Sequence, residues 1–140
     1  MKGYRKILIA VNGSKDVLTQ GLKLAQEEKC WVTVVKVIPD NDGDLDLVGV
    51  RNIEAVLDSG ASQAVADIKE TAKAEGSLIK TRLEEGDVHK RIVEVAEEEN
   101  CDLIIMGAQK IKKGLSRLFR RNTVGKVIES APCPVLVVGA

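Results

Sequence analysis

Residues 7–11, Ile-Leu-Ile-Ala-Val, carry no polar side chain, so a strand made from them is apolar on both faces and needs cover on both. Asn12-Gly13-Ser14 closes the run with a turn. Ser14 is placed to cap a helix reaching about Lys29, on which Leu18, Leu22 and Ala25 recur at helical spacing. Asp16 falls in its first turn, where the helix dipole favours an anion.

The same order of strand, turn and helix repeats along the chain. Val32 to Ile38 is rich in β-branched residues and is stopped by Pro39. A helical face follows in Leu57, Ala61, Ala64, Val65, Ile68 and Ala72, a helix from about Asn52 to Ala74 that Gly76 ends. From Leu78 to Leu83 the pattern alternates, with Ile79, Thr81 and Leu83 on one face and Leu78, Lys80 and Arg82 on the other, as suits a half-exposed edge strand. Asp87 is expected to cap a helix carrying Val88, Ile92, Val95 and Ala96 and ending near Asn100. Leu103 to Met106 is a fourth strand, closed by Gly107. Val124, Val127, Ile128 and Ala131 mark a last helical face, stopped by Pro132 before the strand Val135 to Val138.

Strands are therefore expected near residues 5–11, 31–38, 78–84, 102–107 and 134–138. Their alternation with helices implies right-handed crossovers and one parallel sheet in a single α/β domain spanning 1–140. Aromatics make up only 2% of the chain, so the core is aliphatic.

Lys+Arg and Asp+Glu balance at 21 each, which removes the overall positive field of a general nucleic-acid or membrane-surface binder. Any electrostatic function is local. Cys30, Cys101 and Cys133 are widely spaced, with no Cys-x-x-Cys pair, so neither a disulfide framework nor a zinc site is expected and the thiols are read as reduced. The apolar start is too short for a signal segment or a membrane span, and a cytoplasmic location follows as the expectation.

Four segments carry a family resemblance: Ile7 to Ser14 (ILIAVNGS), Asp102 to Gly107 (DLIIMG), Gly114 to Leu118 (GLSRL) and Ala131 to Val138 (APCPVLVV). In this order they resemble the landmarks of the universal stress proteins, the UspA-like family. The resemblance implies a Rossmann-like sheet in order 3-2-1-4-5 of the adenine nucleotide alpha hydrolase type, commonly in a homodimer joined through the last strand. It also implies a stress-response role with ATP or a related nucleotide bound at the carboxyl ends of the first and fourth strands.

Nucleotide-binding members carry Gly-x-x-Gly, nine residues, then Gly followed by Ser or Thr. Here Gly107 holds the first position, Lys110 the second and Arg121 the third, with Asn122 and Thr123 after it, and ten residues separate Lys110 from Arg121. Glycines allow backbone N–H groups to approach phosphate closely, whereas Lys110 and Arg121 would meet phosphate with charge. Asn12 stands where the family has an aspartate near the adenine, and Ala10, Val37 and Met106 match positions lining the adenine and ribose pocket.

From Gly107 to Thr123 there is no acid, while Lys110, Lys112, Lys113, Arg117, Arg120 and Arg121 form a basic segment. It offers polyphosphate, RNA or an acidic partner a seat, beside the plainer reading of a solvated loop. Asp40, Asp42, Asp44 and Asp46 follow the second strand, but Gly43 sits fourth from Asp40 where a calcium loop needs its glycine sixth. His89 reads as an exposed helix residue, and no G-x-S-x-G, H-E-x-x-H or P-loop pattern supports an enzyme. Two functions remain open: a nucleotide-responsive regulatory protein, and a nucleotide-free dimeric interaction module acting through its basic loop or dimer surface.

Overall fold

The structure is a computed structural model that describes residues 5–11, 15–39, 62–108 and 123–138. Its elements in order are β1 Lys6–Val11, α1 Lys15–Glu28, β2 Trp31–Pro39, α2 Ser62–Ala74, β3 Ile79–Gly86, α3 Val88–Glu98, β4 Leu103–Gly107, α4 Thr123–Ser130 and β5 Val135–Val138. The strands form one sheet in the order β3-β2-β1-β4-β5, every neighbouring pair parallel. The expected architecture is the observed one. Residues 52–61 of the second expected helix, Ser14 as a cap and the acidic loop 40–46 lie outside the described residues.

The two-faced apolar runs become two cores. Ile7, Ile9, Val32, Val34, Leu103 and Ile105 face α1 and α2, meeting Leu18, Leu22, Ala25, Ile68 and Ala72. Leu8, Ala10, Val35, Val37, Ile104 and Met106 face α3 and α4, meeting Ile92, Val95, Ala96 and Val127. Ile9 and Ile105 are fully buried, and each such side chain contributes about 1.5–3 kcal/mol of transfer free energy. Gly21 of α1 rides directly on β1, because a methyl group there would stand 2.7 Å from Cδ1 of Ile9.

Helix ends are closed by backbone geometry that residue type does not always announce. Gly76 has φ 73°, and the N–H of Ser77 reaches the carbonyl of Ala72 at 2.8 Å. Lys29 (φ 56°) and Asn100 (φ 57°) take the same left-handed position after α1 and α3. The N–H groups of Cys30 and Cys101 then bond back to the carbonyls of Ala25 and Ala96, at 3.0 and 2.9 Å. Asp102 ties the sheet's start together, its carboxylate accepting from the N–H of Arg5 at 3.0 Å and of Lys6 at 3.1 Å.

Four expectations are corrected. Asp87 occupies the cap position of α3 but makes no side-chain cap bond, since its carboxylate lies 2.9 Å from Nδ1 of His89. His89, expected to be exposed, is half-buried through that contact. Ile128, expected on the buried face of α4, is 54% exposed, because α4 lies at the β5 end of the sheet where no further strand covers it.

Arg82 was expected to point into solvent from an edge strand and instead lies half-buried against the last turn of α3. It pairs with Glu84 at 2.7 Å, Glu98 at 2.9 Å and Glu99 at 3.2 Å. Lys80 pairs with Glu99 at 2.8 Å, and Arg91 pairs with both Glu84 and Glu94. Lys80 beside it holds the Glu99 carboxyl below its usual range, and Arg82 adds to this. Burial pushes the Glu84 carboxyl up, but the hydrogen bonds from Arg91 and Arg82 outweigh it and hold it down. The β3 edge is therefore occupied by paired charge.

Candidate functional site

In an open parallel sheet the strand order reverses at one place, and the loops beyond the carboxyl ends there diverge to leave a crevice. Here the reversal lies between β1 and β4, since β2 follows on one side of β1 and β4 on the other. Ala10 pairs with Met106 across it and with Val35 on its other side. A cleft of about 230 Å³ opens at this place.

Its floor is apolar for the same reason that the core is. Ala10, Val35, Val37 and Met106 belong to the α3-side core and simply continue past the last covering residues, Ile92 and Val88 of α3. The opposite wall is the first turn of α4, Thr123 and Val124. A helix N-terminus presents unpaired backbone N–H groups and partial positive charge, so one end of an apolar slot meets an anion-favouring end. Lys36, half-buried at the end of β2, borders the cleft from the strand between Val35 and Val37, its side chain on the opposite face of the sheet from theirs.

Gly107 completes the rim and acts sterically. A methyl group there would lie 2.6 Å from Cγ2 of Val17, which is 3% exposed in the first turn of α1. The glycine thus lets α1 start close against β4.

Of the residues expected to form a site, Ala10, Val37, Met106, Gly107 and Thr123 come together around this cleft. Asn12, Lys110, Arg121 and Asn122 lie outside the described residues, as does the basic segment around them. Val11, Val35, Lys36, Val88, Ile92 and Val124 also line it and were missed. Lys36 did leave a trace, as the one charged residue in the run from Val32 to Ile38. Val88 and Ile92 left none, because their spacing is that of any core-facing helix.

Among the described residues that line the cleft there is no Ser, Cys, His, Asp or Glu. Burial pushes the Cys101 thiol up to about 12, with the charge of Cys133 adding to it, and burial raises Cys133 as well. Both thiols are thus held in the unreactive form at neutral pH. Among the described residues no group of His, Cys, Asp and Glu is placed to hold a metal ion. None of their helices is long and apolar enough to cross a membrane.

A family profile, that of the universal stress protein family, matches residues 3–139. Universal stress protein MJ0531 of Methanocaldococcus jannaschii is 33% identical, over 96% of this chain and 82% of its own length. The solved structure of the protein MJ0577 from the same organism superposes with a TM-score of 0.79 at 26% identity, covering 98% of this chain and 96% of that one. The structure of a universal stress protein from Archaeoglobus fulgidus in complex with dAMP shares the fold, with a TM-score of 0.70 at 22% identity over 99% of each chain.

Proposed function

Since the chain belongs to the universal stress protein family, we propose that it works as one cytoplasmic regulatory domain binding an adenine nucleotide, ATP or a related one, at the carboxyl ends of β1 and β4. The observation that carries this reading is the pairing of an aliphatic slot with a helix N-terminus across the strand-order reversal. Ala10, Val37 and Met106 offer apolar surface to a base. Thr123 and the first turn of α4 offer donors and partial positive charge to the ribose phosphate. The dAMP complex of the Archaeoglobus relative supports the ligand class.

A volume of about 230 Å³ is smaller than the ~300–1,000 Å³ of drug-sized pockets. The described walls therefore suit the base and the start of the ribose, and we place the phosphates toward Thr123. In this reading Lys110 and Arg121 meet them with charge, Asn122 with its neutral amide, and Asn12 serves the base.

Calorimetric titration with ATP and dAMP tests this. Saturable binding is expected, weakening with salt, and Arg121→Ala should lower affinity by about fivefold, a loss near 1 kcal/mol for one partly solvated charge-assisted contact. If neither nucleotide binds at millimolar concentration, to the native protein or to the Lys110→Gly/Arg121→Gly variant with both glycines restored, the nucleotide reading fails. The chain is then an interaction module.

One observation favours that second role as well, and the two are compatible. Ile128, Leu136 and Val137 are 54%, 42% and 38% exposed around β5, whose outer edge has no strand beside it among the described residues. We infer a homodimer through β5, the two copies of the strand running antiparallel across a two-fold axis. Light scattering at micromolar concentration should give twice the monomer mass for the native chain and the monomer mass for Val137→Lys; a native monomer would overturn it.

A further inference from the structure

The end of the sheet opposite the nucleotide cleft carries a second opening, of about 440 Å³, among the amino ends of β1, β2 and β3. Its position follows from helix length. Val35 and Val37 of β2 lie under α3, so Trp31 and Thr33 face the same side two and four residues earlier. But α3 stops at Glu98, and no helix among the described residues covers the sheet beyond it. Lys6 pairs in register with Trp31, Thr33 pairs with Lys80, and Leu78 stands beside them just before β3 begins.

Two features of this opening have no structural purpose in the described fold. Trp31, the chain's sole tryptophan, is 74% exposed, and Leu78 is 91% exposed. Both line the opening, so the largest apolar ring in the chain and a leucine form its wet wall. The polar rim is also unbalanced. Lys80 is engaged by Glu99 at 2.8 Å, which cancels both charges, whereas no ion pair joins the Lys6 ammonium to another described residue. Among the described residues that line the opening, Lys6 is thus the one cation without an ion-pair partner, beside the indole and over a floor that includes the buried Thr33.

We propose that this opening binds a small planar aromatic anion, its ring stacked on Trp31 and against Leu78 and its anionic group at Lys6. The volume lies within the ~300–1,000 Å³ of small-molecule sites. A flat ring suits an exposed indole because offset stacking adds to the area removed from water. The single uncompensated charge selects an anion over a neutral or cationic ring of the same shape. The site stands at the other end of the strands from the nucleotide cleft and depends on none of its residues.

Because the chain has one tryptophan, its spectrum contains one indole N–H resonance, which reports on this site alone. In an NMR titration with 2-naphthoate that resonance is expected to shift saturably. Affinity should fall about tenfold for 2-naphthylmethanol, which keeps the ring and lacks the charge, and further for 2-naphthylmethylammonium. Lys6→Ala, a change at an exposed side chain that leaves the dispersed amide spectrum intact, should abolish the preference among the three probes. An indole resonance that does not move at millimolar 2-naphthoate overturns the proposal. So does one that responds alike to all three probes, or a preference unchanged in Lys6→Ala.

Discussion

Ile9→Ala is expected to lower the free energy of unfolding by about 3–5 kcal/mol, the upper part of the range for truncating a buried isoleucine. The side chain is fully buried at the centre of the sheet, between β2 and β4. Its Cδ1 fills the space above Gly21, which has no side chain to move into the void. Denaturant melts should show the lower midpoint with an unchanged slope, and the thermal midpoint should fall by on the order of 10 °C. Leu78→Ala, at a 91% exposed position, should stay within about 0.5 kcal/mol of the native chain.

The contact also predicts a reversal of sign. Gly21→Ala alone should destabilise, because its methyl would meet Cδ1 of Ile9 at 2.7 Å and the gain in helix propensity of about 1 kcal/mol cannot offset the overlap. In the Ile9→Ala background the same change should stabilise, since the methyl enters a vacated space. Additive effects of the two substitutions would show that α1 does not sit on β1 in this way.

Gly107→Ala is expected to cost about 1–3 kcal/mol of stability and to weaken nucleotide binding on the order of tenfold. Its methyl group would stand 2.6 Å from Cγ2 of Val17. Valine in a helix has essentially one side-chain rotamer, so Val17 cannot swing aside and the first turn of α1 must lift from β4. That turn begins beside the cleft, so the rim moves with it. Val17→Ala added to Gly107→Ala separates two roles of the glycine. If packing of α1 is the whole of it, stability and binding both recover; if the bare backbone also meets phosphate, stability recovers and binding does not. A Gly107→Ala chain with native stability and affinity would remove the contact from consideration.

A doubly covered parallel sheet was legible because four of the five strands are aliphatic on both faces, whereas the strand order came from likeness to the universal stress proteins. The strand β3 was displaced from its expected bounds, 79–86 rather than 78–84, because its polar alternation continues smoothly through Glu84 and Glu85. Hydrophobicity does not mark where such a strand stops. Lys29 could not be read as the residue that closes α1, since the left-handed backbone it adopts is set by the hydrogen bond from Cys30 to Ala25 and not by its own side chain.

In the cleft, Ala10, Val37, Met106, Gly107 and Thr123 were found through likeness to known sequences, and composition alone would have called the first three plain core. Val88, Ile92 and Val124 needed the packing of α3 and α4 over the strand ends, which no local pattern encodes. The same holds for the opening beside Trp31. It exists because α3 ends before the strands under it do, a difference between two lengths that sit far apart in the chain.

The two borders of the sheet are unlike, and the difference sets a limit on assembly. At β3 the salt-linked side chains of Lys80, Arg82 and Glu84 would have to be separated and stripped of their partners before another strand could lie alongside. At β5 the residues are Val, Leu, Val and Val. A sheet with one receptive border has a valence of one. In the dimer proposed through β5, two chains joined border to border would present only guarded borders outward, so growth would end at the pair, whereas a chain with two receptive borders could add copies into a filament without end. Neutralising Arg82 and its carboxylate partners would therefore raise the valence to two, and turn a self-limiting contact into a propagating one.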